Sequence, residues 1–206
     1  MTESRNEARK PPLDRAPAEE ASPLVGHFYA WWDGDALPML APPPGIVMAP
    51  GRNADDVAAA MGTGSDRVRE RMQRHHQPWL MWMGDDPIGW GWVATREAAI
   101  AELGVTLTLP PGDRYLWDFM ILPAWRGRGL YPALLRAILS EEEAARFWIG
   151  HDAGNTASAR GIAKAGFRSV GSVRRTAHDQ LEFVPHDPSE RALAAASLLG
   201  LPVTNG

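Results

Sequence analysis

The chain has 206 residues, 45% of them hydrophobic and 22% charged, with a formal net charge of -4 and a pI near 5.9. That length supports one sizeable core, and that charge gives no general attraction to nucleic acid or to an anionic membrane. No cysteine is present, which excludes disulfides, thiolate catalysis and cysteine metal sites.

Residues 1–23 are charged and proline-rich (Pro11, Pro12, Pro17, Pro23) and have almost no aliphatics. Such a composition cannot offset its ordering entropy, so a disordered tail is expected there. It lacks the apolar core of a signal peptide, and the chain has no apolar run of about 18 residues, so the expectation is a cytoplasmic protein without a membrane partner. Residues 24–206 then form a single domain, with an N-terminal arm over 24–44 and a C-terminal helix and tail over 189–206. Leu24 to Trp32 is apolar and aromatic enough to be a strand or extended arm held on the body. Asp33-Gly34-Asp35 turns it, and Pro38 and Pro42-Pro43-Pro44 make an extended connection.

Gly45 to Gly51 is a short strand. Asn53 is placed to cap a helix with Asp55 and Asp56 in its first turn, ending near Gly62. Ser65 or Asp66 caps a second helix to about His75, whose arginines read as a solvated face, with a ligand role as the alternative. Trp79 to Met83 and Ile88 to Thr95 pair as an antiparallel hairpin. The alternation of Gly89 and Gly91 with Trp90 and Trp92 puts both indoles on one face. The nine tryptophans mainly fill the core, with a few available for an acceptor pocket or an oligomer interface. Arg96 to Leu109 fits either a strand or a helical turn. Later elements are a short buried strand (Phe147 to Ile149), a helix from Ala157 to Ala165 capped by Asn155-Thr156 and ended at Gly166, closing strands (Ser169 to Arg175, Leu181 to Val184) and a terminal helix (Ser189 to Leu199).

The central stretch is Tyr115 to Arg146. An apolar strand to Leu122 is stopped by Pro123. The loop Arg126-Gly127-Arg128-Gly129 follows, then an amphipathic helix of about four turns from Leu130. A strand, a glycine loop and a helix N-terminus aim several backbone N–H groups at one point, which suits a phosphate. The dinucleotide fingerprint fails, because Pro132 stands at its third glycine, and no G-x-x-x-x-G-K-[ST] loop is present.

The segment Phe119 to Leu130 resembles the acyl-CoA loop of the GNAT superfamily of N-acyltransferases, Q/R-x-x-G-x-G/A. Gly127 and Gly129 match the glycines, and Ala124 departs at the Q/R position. Asn155-x-x-Ser158 with Gly166-Phe167 is similar to the family's later segment, and the order of elements agrees over roughly Gly45 to Val184. The resemblance implies an α/β fold with a mixed, mostly antiparallel sheet flanked by helices. That sheet would be splayed between the strand of Tyr115–Leu122 and the strand of Phe147–Ile149. It also implies acetyl-CoA as acyl donor and no metal, with Ile121 at a bulge facing the pantetheine arm. Arg126, Gly127, Arg128, Gly129, Leu130, Tyr131 and Asn155 would be the other cofactor-binding residues.

The implied chemistry is direct attack of a neutral primary amine on the thioester, yielding an N-acetylated small molecule or peptide. Asp118 occupies the place of a base or ammonium anchor, against the alternative of a structural carboxylate. The family's usual thiolate acid is a tyrosine where this chain has Ile162. Tyr131, Tyr115, solvent or His151 are the substitutes, and a polar loop residue without a role is the other reading of His151. The competing function is a catalytically silent acyl-CoA-binding module. The acceptor wall is expected from Phe28 to Trp32 and Ala54 to His76, in a monomer or homodimer that binds no nucleic acid.

Overall fold

The computed structural model describes residues 23–204. The expected disordered tail lies outside these residues, apart from Pro23. In chain order the elements are β1 (Leu24–Trp32), β2 (Ile46–Pro50), α1 (Ala54–Met61), α2 (Ser65–Gln73), β3 (His76–Met83) and β4 (Asp86–Ala94). Then come β5 (Glu97–Ile100), β6 (Val105–Thr108), β7 (Asp113–Ile121), α3 (Leu130–Glu141), β8 (Arg146–Asp152), α4 (Thr156–Lys164), β9 (Arg168–Arg175), β10 (Leu181–Pro185) and α5 (Glu190–Leu199). One sheet runs β10-β9-β1-β8-β7-β4-β3-β2, and β5 and β6 form a separate hairpin. Among the described strands only the β7–β8 pair is parallel, so the mixed, mostly antiparallel sheet expected from the sequence is borne out.

Each face of the sheet has its own core. On one side α3 and α4 bury Leu134, Leu135, Ile138 and Ile162 against Phe147, Ile149 and Leu116. On the other side α1 and α2 pack Val57 and Val68 against Leu80 and Trp92. The same side, further along, holds α5 and the hairpin over Phe28, Trp148 and Phe183. The even spacing of apolar side chains on β7 and β8 is what serves both faces at once.

The N-terminal segment is more than an arm. β1 lies between β8 and β9, with Tyr29 opposite both Ile149 and Ser169. Its largely aromatic run, Phe28 to Trp32, suits a strand buried on both faces. Other boundaries also move. Gly64, without a side-chain bond, precedes α2, which stops at Gln73 because Arg74 and His75 leave helical geometry, His75 at φ +63°. Arg96–Leu109 resolves as the β5–β6 hairpin. α3 is twelve residues and ends at Glu141, and β8 is longer than expected and carries His151 inside a strand. Asn53, in contrast, caps α1 as its sequence predicts, accepting from the Asp55 and Asp56 N–H groups.

Two features shape the centre of the sheet. Parallel pairing of β7 and β8 runs only from Asp113–Arg146 to Leu116–Ile149, yet the strands continue to Ile121 and Asp152. Beyond Leu116 they part. The closed end is fixed by the buried Asp113 carboxylate, which accepts from Arg146 Nε and Trp148 Nε1, each at 2.8 Å. Removing such a buried partner costs about 3–5 kcal/mol. The second feature is a bulge: Trp92 pairs with Trp117 and Trp90 with Met120, so Asp118 and Phe119 together oppose Gly91. Asp118 sits at φ +52° there. Gly91 is required because the Phe119 ring lies 2.1 Å from where a Cβ would stand. The bulge is therefore at Asp118, three residues before the position expected at Ile121, which pairs regularly with Gly89.

Candidate active site

A cleft of about 1010 Å³ opens where β7 and β8 separate, and passes from the α3–α4 face to the α2–hairpin face. It holds or borders nearly all the residues that the sequence singles out.

On the α3–α4 side the wall is mostly backbone. Gly127 (φ +76°) and Gly129 (φ +73°) adopt left-handed conformations, and nothing lies within 4 Å of a Cβ built on either. The open space beside both glycines is a cradle that a larger residue would fill. Gly129 is also the N-cap of α3 and has no side chain to bond the first-turn N–H groups. The N–H groups of residues 127–131 accordingly have no protein acceptor among the described residues. Uncapped donors at a helix N-terminus hold an anion by hydrogen bonds and by the helix dipole. Arg126 Nε donates to the Ile121 carbonyl at 3.0 Å, and Arg128 Nη2 donates to the Ala124 carbonyl at 3.3 Å while its guanidinium lies over Trp125. Both arginines thus brace the loop as well as charge it, and Arg128 is outside the cleft lining.

Tyr131, the second residue of α3, turns its ring onto Gly161 of α4, where a Cβ would approach to 2.3 Å. The ring meets Phe119 edge-on, and its hydroxyl is 3.2 Å from Ser158 Oγ. Burial pushes the phenol up to about 12, against the opposing bond from Ser158, so it is a proton donor at neutral pH. Asn155 borders the same space, and its Oδ1 accepts from the Ser158 N–H at 3.0 Å, as a helix cap.

The opposite wall is made of side chains. The bulge turns Asp118 toward α2, where Oδ2 accepts from Arg71 Nη1 at 2.6 Å. Arg71 lies over Trp117 and Trp92, with its carbon 4.6 and 5.0 Å from the two ring centres, and its side chain is only 18% exposed. The solvated arginine face expected on this helix thus fails at Arg71. Arg67 and the hairpin residues Ile100, Glu102 and Leu103 complete this wall. Of the expected acceptor wall, Phe28 reaches the cleft, whereas Trp32 packs on Trp148, Arg146 and Arg191 at the far end of β1.

Two candidates are more constrained than the sequence suggests. Tyr115 is 5% exposed and stacks on Phe28, and burial raises its pKa well above the ordinary value. His151 donates Nδ1–H to the Asp152 carbonyl at 2.8 Å, so Nε2 accepts from the Tyr29 hydroxyl at 3.1 Å. Both ring nitrogens are engaged. Its neighbour His27 has its pKa lowered by burial and by the charges of His151, His186 and Arg174. Arg71, Arg67 and Trp117 carry no motif. The arginines' i, i+4 spacing on an amphipathic helix was the available signal.

The family model for the acetyltransferase (GNAT) domain matches residues 52–168, more than half of the chain. The chain belongs to the GNAT acetyltransferase family. Two solved structures with this fold are a GCN5-related N-acetyltransferase from Kribbella flavida and another from Sphaerobacter thermophilus. The first is 16% identical with a TM-score of 0.50, covering 70% of this chain and 54% of that one. The second is also 16% identical with a TM-score of 0.52, covering 71% of this chain and 49% of that one. The chain thus spans about half the length of these structures. No curated protein matches. Within the GNAT pattern, Ile162 is fully buried under α3 and leaves the usual tyrosine position without a polar group. Tyr131 fills the room that Gly161 leaves one residue earlier on the same helix.

Proposed function

We propose that this GNAT protein is an N-acetyltransferase that moves an acetyl group from acetyl-CoA to a primary amine by direct attack in a ternary complex. The observation that carries this is the meeting of two unlike walls. Free backbone N–H groups over residues 127–131 stand on one side of the splayed strands, and a carboxylate on a bulge stands on the other.

Acetyl-CoA, when bound, supplies an activated thioester carbon. Residues 126–131 would hold its pyrophosphate, with Leu130 and Tyr131 contributing helix N-terminal donors. The edge of β7 beyond Leu116 faces the gap left by β8, and its backbone, including Ile121, is the place for an extended arm. Asn155 fixes the start of α4 beside that arm. Asp118 Oδ1 has no protein partner among the described residues and is the acceptor for a proton or ammonium of the incoming amine. Tyr131, neutral and hydrogen-bonded to Ser158, is the donor for the departing thiolate, in the role that Ile162 cannot fill. His151, with both nitrogens engaged, acts through Tyr29 to hold β8 in place. Overall an N–C bond forms, the C–S bond breaks, the amine gives up one proton and the thiolate gains one.

The test is release of free thiol from acetyl-CoA over a panel of amines, beside calorimetric titration of CoA. Turnover with at least one amine is the expected result. Tight CoA binding without turnover on any amine would establish the silent binding module instead.

A further inference from the structure

α2 presents its arginines in two different states. Arg69 pairs with Asp55 and Asp66, and Arg74 pairs with Glu70, all at the solvent surface. Arg67 and Arg71, one turn apart, line the cleft instead. Arg67 has no acceptor among the described residues. Arg71 commits a single N–H to Asp118, and its remaining donors have no protein acceptor among the described residues.

Arg71 and Asp118 touch through one nitrogen and one oxygen. The pair therefore leaves Oδ1 and the rest of the guanidinium open to the same space. The guanidinium lies over the indoles of Trp92 and Trp117, so its position does not depend on Asp118 alone. An open carboxylate oxygen beside open guanidinium donors is the complement of an ammonium beside a carboxylate.

Resting on the acetyl-transfer reading above, we infer that the acceptor is an amino carboxylic acid. The Arg71–Asp118 pair, with Arg67, would recognise its carboxylate and amine together, and a free amino acid with an apolar or aromatic side chain fits best. Charge and shape both favour this class. Two guanidinium groups would repel a polyamine, while Asp118 and Glu102 would repel a dianionic acceptor. The rest of this wall is apolar or aromatic: Phe28, Ile100, Leu103, Tyr115 and Trp117. In the transfer the amine nitrogen bonds the acetyl carbon as the C–S bond breaks. The bound ammonium gives up one proton to solvent before attack and a second to Asp118 as the N–C bond forms, the thiolate takes its proton from Tyr131, and the carboxylate stays unchanged on the guanidinium groups.

The experiment compares matched acceptors on the full chain with acetyl-CoA: leucine against 3-methylbutylamine, and phenylalanine against 2-phenylethylamine, with each amino acid also offered as its amide. Thiol release gives kcat/KM, and calorimetry on the CoA-loaded protein gives amino acid binding without turnover. The acid should exceed its amine and amide by at least about tenfold, as a charged hydrogen-bonded group commands. Arg71→Met and Arg67→Gln should each draw that ratio toward one, and Arg71→Lys should keep part of it, with thermal melts confirming that each variant folds. Equal or better use of the bare amines would overturn the inference while leaving acetyl transfer intact. Absence of turnover together with Arg71-dependent amino acid binding would keep amino acid recognition by the pair and remove the transfer reading. Neither turnover nor binding would overturn both.

Discussion

The two walls of the cleft are built from different materials. The α3–α4 wall is backbone: Gly127, Gly129 and the first turn of α3 offer N–H groups whose positions depend on conformation and hardly on side-chain identity. The α2–hairpin wall is side chain: Asp118, Arg71, Arg67, Trp117 and Glu102 come from three separate stretches of the chain. A backbone site needs only the right turn, so it is compact in sequence and suited to a ligand part shared by many proteins. A side-chain site depends on each residue, so it is dispersed in sequence and sets what is peculiar to one protein.

That contrast can be broken from the backbone side first. Gly129→Trp should fill the open space at the head of α3 and weaken CoA binding at least about 100-fold, the scale of losing two or three charged backbone hydrogen bonds. The left-handed conformation adds roughly 1–2 kcal/mol of strain, small enough for the fold to survive. Calorimetric titration with a circular dichroism control checks both parts, and unchanged affinity would remove the loop assignment.

On the side-chain wall, Asp118→Asn should lower turnover at least about tenfold with CoA affinity nearly constant. Asparagine tolerates the positive φ of the bulge, so the substitution isolates charge from shape. Steady-state kinetics beside CoA titration will show whether kcat alone moves; equal turnover would leave Asp118 a structural partner of Arg71. Between the walls, Gly161→Ala would put a methyl group 2.3 Å from the Tyr131 ring. Displacing the ring should cost about 1–3 kcal/mol in denaturant unfolding and slow turnover several-fold. If both stay the same, Tyr131 is not held by α4 in the way described.

The smallest effect concerns His76, which meets the Trp117 ring edge-on behind Arg71. Burial lowers its pKa from 6.5, and the charges of Arg71 and Arg74 lower it further. The folded state thus keeps His76 neutral while the unfolded chain protonates near 6.5. Its stability contribution is complete above that value and is lost as pH falls toward the lowered folded pKa. Denaturant midpoints measured between pH 7 and 5 should fall less steeply in His76→Gln than in the parent protein. Parallel curves would mean that other groups, His27 among them, carry the dependence.

The same division explains what was legible in the sequence. Caps and turns announce themselves locally, as with Asn53, Asn155, Ser189 and the glycines at 127 and 129, and these stand where the sequence places them. The splay was legible through the resemblance and is visible as the end of β7–β8 pairing at Leu116. What was hidden depends on register and on long-range packing. Leu24–Trp32 reads as an arm until its two neighbours, β8 and β9, are known. The bulge falls at Asp118 rather than Ile121 because Gly91, on the adjacent strand, is the residue that makes room for Phe119. Arg71 looks like any exposed helix arginine until Trp92 and Trp117 are placed around it, 21 and 46 positions further along the chain.

In the proposed reaction the backbone of residues 127–131 receives the pyrophosphate while Asp118 and Arg71 face the acceptor across the cleft. A crystal structure of the protein with CoA tests this most directly. The expected result is pyrophosphate oxygens within hydrogen-bond distance of the Gly127 to Tyr131 N–H groups and the thiol end between β7 and β8, near Tyr131 and Asp118. Cofactor density lying elsewhere, or a thiol end remote from Asp118, would contradict it.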